Sequence, residues 1–230
     1  MPQVVELGWI PVKQDYEENP ITKSIRELKS KLMANPDLLA HWEGVRGHGR
    51  LDDSPIKGLD LATVWKSVEA SKAAKESPEG QEMGKLWPQI VETSSHYGPV
   101  QPWVSCFLLE GDDFAKVASA NVVLLSGSYL PADADTDAFF KKWVALTRSQ
   151  HAEGGNLSTG YVAGVHGWSV GDTDHKGEKH KVFMVVTGWD SEEQMKAAVG
   201  GDKRAKVEEA LKEFGIQQHE HVSHGLDKIK

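Results

Sequence analysis

The sequence predicts an α+β protein made of two strand–helix–strand–strand–helix–strand repeats, and three observations carry that prediction. First, WKSVEASKAA beginning at Trp65 and WDSEEQMKAA beginning at Trp189 share Trp, Ser, Glu, Lys, Ala and Ala at identical spacing, an offset of 124. Second, the relation continues in the same order along the chain. Gly44-Val45-Arg46-Gly47 stands over Gly164-Val165-His166-Gly167 at offset 120, Val4-Val5 over Val122-Val123 at 118, and Val104-Ser105 over Val222-Ser223 at 118. Third, the apolar stripes of the predicted helices fall at matching positions. The halves are residues 1–110 and 118–230, with 111–117 as linker. The shifting offsets require only small insertions and deletions in loops.

VVELGWIPV opens the first half as a β-rich apolar strand. Asn19-Pro20 then supplies an N-cap and a first-turn proline, and Ile21, Ile25, Leu28 and Leu32 follow as one face of an amphipathic helix. Asn35-Pro36 ends it. Strands at 42–50 and 59–65 lead to a second helix carrying Met83, Trp87 and Ile90, and the half closes on a strand near 101–109. In the second half VVLLSGSYL is the strand, and Phe139, Trp143 and Leu146 repeat the stripe 118 residues after Ile21, Ile25 and Leu28. Strands at 160–170 and 181–189 precede a capping box at Ser191 and Gln194. Gly200-Gly201 breaks the last helix, Val207, Leu211 and Phe214 match Met83, Trp87 and Ile90 at offset 124, and 217–224 is the final strand. The polar stretch GDTDHKGEKH, with His175 and His180, reads as an exposed loop.

Composition narrows the function. Lys plus Arg is 26 against 34 Asp plus Glu, a net charge of −8 that repels phosphate backbones, so nucleic acid is not an expected partner. The single cysteine, Cys106, excludes an intramolecular disulfide and any Cys-rich zinc module. MPQVVELGWIPVKQDYEENP has no basic n-region, and no stretch of the chain is apolar over membrane-spanning length. The expectation is a cytoplasmic protein without a membrane partner. Phosphate-binding glycine loops, dinucleotide fingerprints and nucleophile elbows are absent from the sequence.

A βαββαβ unit is the ferredoxin-like, split βαβ arrangement, an antiparallel sheet with both helices on one face. A strand ending in Trp65, then Ser67, Glu69, Ala70 and a Ser-Pro-containing helix at Ser77, resembles the antibiotic-biosynthesis monooxygenase-like family of dimeric α+β barrels. Trp189, Ser191 and Glu193 stand in the same frame. The resemblance implies two ferredoxin-like repeats fused in one chain as a pseudo-dimeric α+β barrel, a monomer for which further homodimerisation is compatible. It also implies a small hydrophobic or aromatic ligand inside. Its activities span cofactor-independent oxygenases of polycyclic phenols, haem-binding and haem-degrading enzymes, cyclases, lyases and stress-response proteins. Positions that would supply a catalytic Trp and an axial His in the haem branch fall near Ala74, Gly84, Ala198 and Glu208, small or acidic residues, so no cofactor is expected.

Strand alternation assigns faces, since residues two apart share a side. With Val45 and Val165 on the helix-packed face, Gly44, Arg46 and His48, and Gly164, His166 and Trp168, turn inward. Glu6 falls opposite Val5, Leu7 and Trp9, which directs a carboxylate into the cavity. With Val104 and Val222 on the helices, Trp103 and Ser105, and His219, His221 and Ser223, turn inward. Histidine moves protons at neutral pH, arginine stabilises an enolate or phenolate, and a buried carboxylate can act as a base. Arg46, His48 and His221 are therefore the expected catalytic residues, with Glu6 and His166 behind them. Trp103, Trp168, His219, Ser105 and Ser223 are the expected substrate contacts. His219-x-His221 puts two imidazoles on one face, but His224 has the opposite parity and no partner motif follows, so no metal site is expected. The expected function is cofactor-independent oxygenation of a phenolic or polyketide-derived compound. A cyclase or lyase acting by proton transfer and a non-catalytic ligand-binding or stress-response barrel are the alternatives.

Overall fold

The computed structural model describes residues 2–48, 56–95, 98–99, 101–152, 160–175, 177–199 and 202–230. The chain divides into two compact units, Met1–Leu108 with Leu226–Lys230, and Leu109–Gly225.

The first unit runs β1 (Gln3–Pro11), α1 (Pro20–Met33), β2 (Leu38–His48), β3 (Ile56–Trp65), α2 (Val68–Glu76), α3 (Pro78–Ile90), the short pair β4 (Ser94–Ser95) and β5 (Gly98–Pro99), and β6 (Trp103–Gly111). Its sheet order is β6-β1-β3-β2, the ferredoxin-like order. The predicted start of α1 is realised: Asn19 Oδ1 accepts from Ile21 N–H at 3.0 Å, Pro20 occupies the first turn, and Ile25 is fully buried on the apolar stripe. Replacing Asn19 by Ala removes that acceptor and should cost about 1 kcal/mol in a urea titration; an unchanged midpoint would remove the cap from the account. The second helix is divided, not continuous. Ser77 Oγ accepts from Gly80 N–H at 3.1 Å and donates to Ala74 O at 2.7 Å, so one hydroxyl ends α2 and starts α3, with Pro78 in the first turn. The junction is tight enough that a Cβ on Gly80 would stand 2.2 Å from Ala74 O.

Helix packing decides which sheet face is which. Val4, Leu38, Trp65 and Ala74 form one cluster, and Ile10, Val12, Tyr16, Ile25, Leu59 and Ile90 a second, so Val4 and Ile10 of β1 and Leu59 and Trp65 of β3 face the helices. Antiparallel register then sets Val5, Leu7 and Trp9 with Val64, Ala62 and Asp60 on the other, helix-free face. That face is buried too: Val5 is 0% exposed and Leu7 2%.

The second unit contains α4 (Phe114–Ala118), β7 (Val122–Pro131), α5 (Thr136–Ala152), β8 (Tyr161–Ser169), β9 (Thr173–His175), β10 (Glu178–Trp189), α6 (Glu192–Val199), α7 (Asp202–Leu211), a 3-10 turn at Lys212–Phe214, and β11 (Gln217–His224). Its sheet order, β11-β7-β10-β8, repeats the first, with β9 added against β10. Phe139 of α5 is fully buried, its ring 5.7 Å from Trp168, 5.4 Å from Phe183 and 5.4 Å from Phe214, all edge-on. Residues 111–118 hold structure of their own. Gly111, at φ +120°, leaves no room for a side chain, since a Cβ would lie 2.6 Å from Gly164 O. Asp112 N–H donates to Gly164 O at 3.0 Å, and Asp113 caps α4, whose Phe114, Val117 and Ala118 are buried.

Three features depart from expectation. His180 is on β10, 5% exposed and opposite Pro131, because β10 begins at Glu178; it is not in a loop. The chain also ends in an unanticipated strand, β12 (Asp227–Lys228), which pairs Asp227 with Glu43 and Lys228 with Trp42 of β2. Lys230 Nζ finishes the attachment by donating to Met33 O at 2.8 Å and Asn35 O at 2.7 Å, carbonyls at the C-terminal end of α1.

The third departure concerns the repeat itself. Val4 pairs with Trp65 and Val122 with Trp189, which confirms offsets of 118 for β1 with β7 and 124 for β3 with β10. Thr63 faces His41 whereas Thr187 faces Gly164, so β2 and β8 are related by 123 and not by 120. The difference is odd, and an odd slip moves every side chain to the other face. Val45 is in register with Leu59 on the helix side, but Val165 pairs with Val186 on the helix-free side.

Candidate active site

Three central strands of the first unit build a polar position into an apolar wall. Trp9 of β1, Asp60 of β3 and Gly44 of β2 lie directly opposite one another on the helix-free face. One step along are Leu7, Ala62 and Trp42; one step the other way are Pro11, Gly58 and the register position of Arg46. Asp60 is 3% exposed and Trp42 1%. The Trp9 indole lies against Gly58 so closely that a Cβ there would sit 2.1 Å from its Nε1. Lys228 of β12 holds its ammonium 5.8 Å from the centre of the Trp42 ring. The result is a buried aspartate on a face that also carries two indoles, with the Trp9 ring filling the space over Gly58.

Asp60 was missed because β3 is buried on both faces. In GLDLATVW the alternation that would mark an outward acid has no solvent side to refer to. The available signal was the charge itself, since an aspartate in the middle of a central strand is rarely tolerated there without a partner or a task.

Of the expected catalytic residues, Arg46 and His48 occupy β2 opposite Gly58 and Ile56, and His221 occupies β11 opposite Leu125, with the expected substrate contact His219 opposite Gly127. The side chains of these four lie outside the described residues. Ser223 is buried opposite Val123 on the helix-free face of the second unit. Trp103 and Ser105, both half-buried, share parity with the buried Phe107 and Leu109, while Cys106 packs with the helix-side cluster. Val104 lies on that helix side, over Gly8, yet is 42% exposed.

Glu6 and His166 point elsewhere than expected. Glu6 does lie opposite Val5, Leu7 and Trp9, but that face carries the helices: its carboxylate accepts from Ser71 Oγ at 3.2 Å and pairs with Lys75, both on α2. His166 and Trp168 also face a helix, a consequence of the 123-residue offset. The His166 ring is 5.0 Å from Trp143 and 5.8 Å from Phe140 of α5, and Trp168 is 5.0 Å from Phe183. Burial lowers the His166 pKa, with Glu110 opposing it, so the ring favours its neutral form among the aromatic side chains.

A separate polar network underlies α1. His41 Nδ1 is 2.8 Å from Thr63 Oγ1 and its Nε2 3.3 Å from Glu43 Oε2, which also pairs with Lys29. Burial alone would raise the Glu43 carboxyl, but the His41 hydrogen bond and the Lys29 ammonium outweigh it and hold it at about 2. Burial, reinforced by Glu43, pushes the Tyr16 hydroxyl up to about 12. These groups sit on the helix side and brace α1 against the sheet. Among the described residues no group of three His, Cys, Asp or Glu converges as a metal centre requires. No helix of the described residues is long and apolar enough to cross a membrane.

No protein-family model and no curated protein sequence matches the chain. Solved structures do. An anthrone oxidase-like protein is similar over 99% of this chain and 93% of its own, with a TM-score of 0.61 and 12% identity. A Lactobacillus acidophilus protein provisionally named a monooxygenase covers 99% of this chain and 94% of its own, at a TM-score of 0.52 and 10% identity. A protein provisionally named a chlorite dismutase is similar over 99% and 96%, at a TM-score of 0.51 and 12% identity. The fold is thus shared with these proteins over nearly their whole lengths, two ferredoxin-like repeats in one chain.

Proposed function

We propose that the chain is a cofactor-independent oxygenase of a flat phenolic or polyketide-derived compound, with Asp60 as its base. The observation that carries the reading is the buried Asp60 on the helix-free face, directly opposite Trp9 and one register step from Trp42. Indole faces favour a flat aromatic ligand, and a carboxylate beside them is a group that can accept its proton. Asp60 takes a proton from an activated C–H or phenolic O–H. Arg46, one register step away, stabilises the resulting anion, and His48, on the same strand, returns protons later in the cycle. The electron-rich anion gives an electron to dioxygen, the radical pair combines to a hydroperoxide, and loss of water leaves a quinone. For anthrone the balance is anthrone plus dioxygen to anthraquinone plus water. The name of one similar structure, the anthrone oxidase-like protein, supports this substrate class.

The test is dioxygen consumption with anthrone, with quinone followed by its absorbance. The full chain should turn anthrone over, and Asp60→Asn should lower kcat by roughly 100-fold or more, the usual range for loss of a general base. Binding of anthrone without oxygen uptake would favour a cyclase, lyase or ligand carrier. Turnover undiminished by Asp60→Asn would remove Asp60 from the chemistry.

A further inference from the structure

We infer that each chain has one base-bearing site, on the first unit, and that the matching three-strand face of the second unit has lost the chemistry; this rests on the reading of Asp60 above. The register equivalences place Met184 where Asp60 stands, Gly127 for Trp9, Val165 for Trp42 and Val182 for Gly58. Every pairing is preserved. Gly127 faces Met184 as Trp9 faces Asp60, and Met184 faces Gly167 as Asp60 faces Gly44.

A thioether accepts no proton near neutral pH, so Met184 cannot replace a carboxylate base. Met184 is 4% exposed, Val165 1% and Val182 1%, a packed aliphatic patch with no indole wall. An indole over glycine in one unit becomes glycine beside valine in the other, so the strand pairing is kept while the reactive position is lost. Ser169, the counterpart of Arg46 by the same 123-residue offset, uses its hydroxyl to accept from Val182 N–H at 3.1 Å and to donate to Gly171 O at 2.9 Å. Tyr129 and His180 lie at one end of these three strands, and the register positions of His219 and His221 are on the neighbouring strand β11, opposite Gly127 and Leu125.

The experiment titrates the full chain with 1,8-dihydroxyanthraquinone as an unreactive probe and measures anthrone turnover in parallel. The expected result is one probe per chain, at least 100-fold lower turnover in Asp60→Asn with the fold intact by circular dichroism, and Met184→Leu within about twofold of the parent. Two probes per chain, or half the turnover surviving in Asp60→Asn, overturns the single-site inference while the oxygenase reading stands. A fall in Met184→Leu as deep as in Asp60→Asn also overturns it. If the parent chain neither binds the probe nor oxidises anthrone, the oxygenase reading fails and this inference fails with it.

Discussion

Phe139→Ala should destabilise the chain by about 3–5 kcal/mol, the range for deleting a fully buried phenylalanine. Phe139 is 0% exposed and meets Trp168, Phe183 and Phe214 edge-on, so truncation opens a cavity lined by three rings that cannot all move inward. It also removes the contact that seats α5 on β8 and β10. Urea unfolding followed by tryptophan fluorescence is the measurement, with Phe139→Leu as the milder comparison. A loss below about 1 kcal/mol for the alanine variant would mean that α5 is not held through this ring.

Glu43→Gln should remove a comparable amount, and its effect depends on pH. The Glu43 carboxyl is depressed from 4.5 to about 2 in the folded chain, and its side chain is only 21% exposed. A depressed carboxyl stabilises the fold fully above its unfolded pKa, and that contribution fades as pH falls from 4.5 toward 2. At 1.36 kcal/mol per unit the contribution is about 3 kcal/mol near neutral pH. The variant should therefore be weaker than the parent near pH 7 and approach it near about pH 2, with a flatter acid limb between. Parallel stability curves across that window would show that the His41 and Lys29 contacts do not act through the Glu43 charge.

How much was legible in the residues depended on how local the signal was. The α1 cap at Asn19-Pro20 and the Trp65/Trp189 frame are short, specific patterns, and both are found where expected. Gly-Val-x-Gly is a weak anchor by contrast, because two glycines and a valine fit either phase of a strand. Aligning on it carried His166 and Trp168 to the wrong face. Glu6 failed for another reason: its parity was right, but only packing tells which face the helices cover, and Lys75 and Ser71 lie about seventy residues away in sequence. Asp60 stayed hidden in a strand buried on both sides. β12 left no trace either, since six residues of GLDKIK have no periodicity to read.

β12 also sets an order of events during synthesis. Residues up to Leu108 supply the four main-sheet strands and three helices of the first unit, but among the described residues the outer edge at Trp42 and Glu43 is paired by Asp227 and Lys228. The first unit therefore leaves the ribosome with an open strand edge and keeps it while more than a hundred further residues are made. An open edge is a template for pairing with another chain. The nascent protein is exposed to that hazard until Asp227 and Lys228 are made, about 120 residues after the rest of the unit they complete.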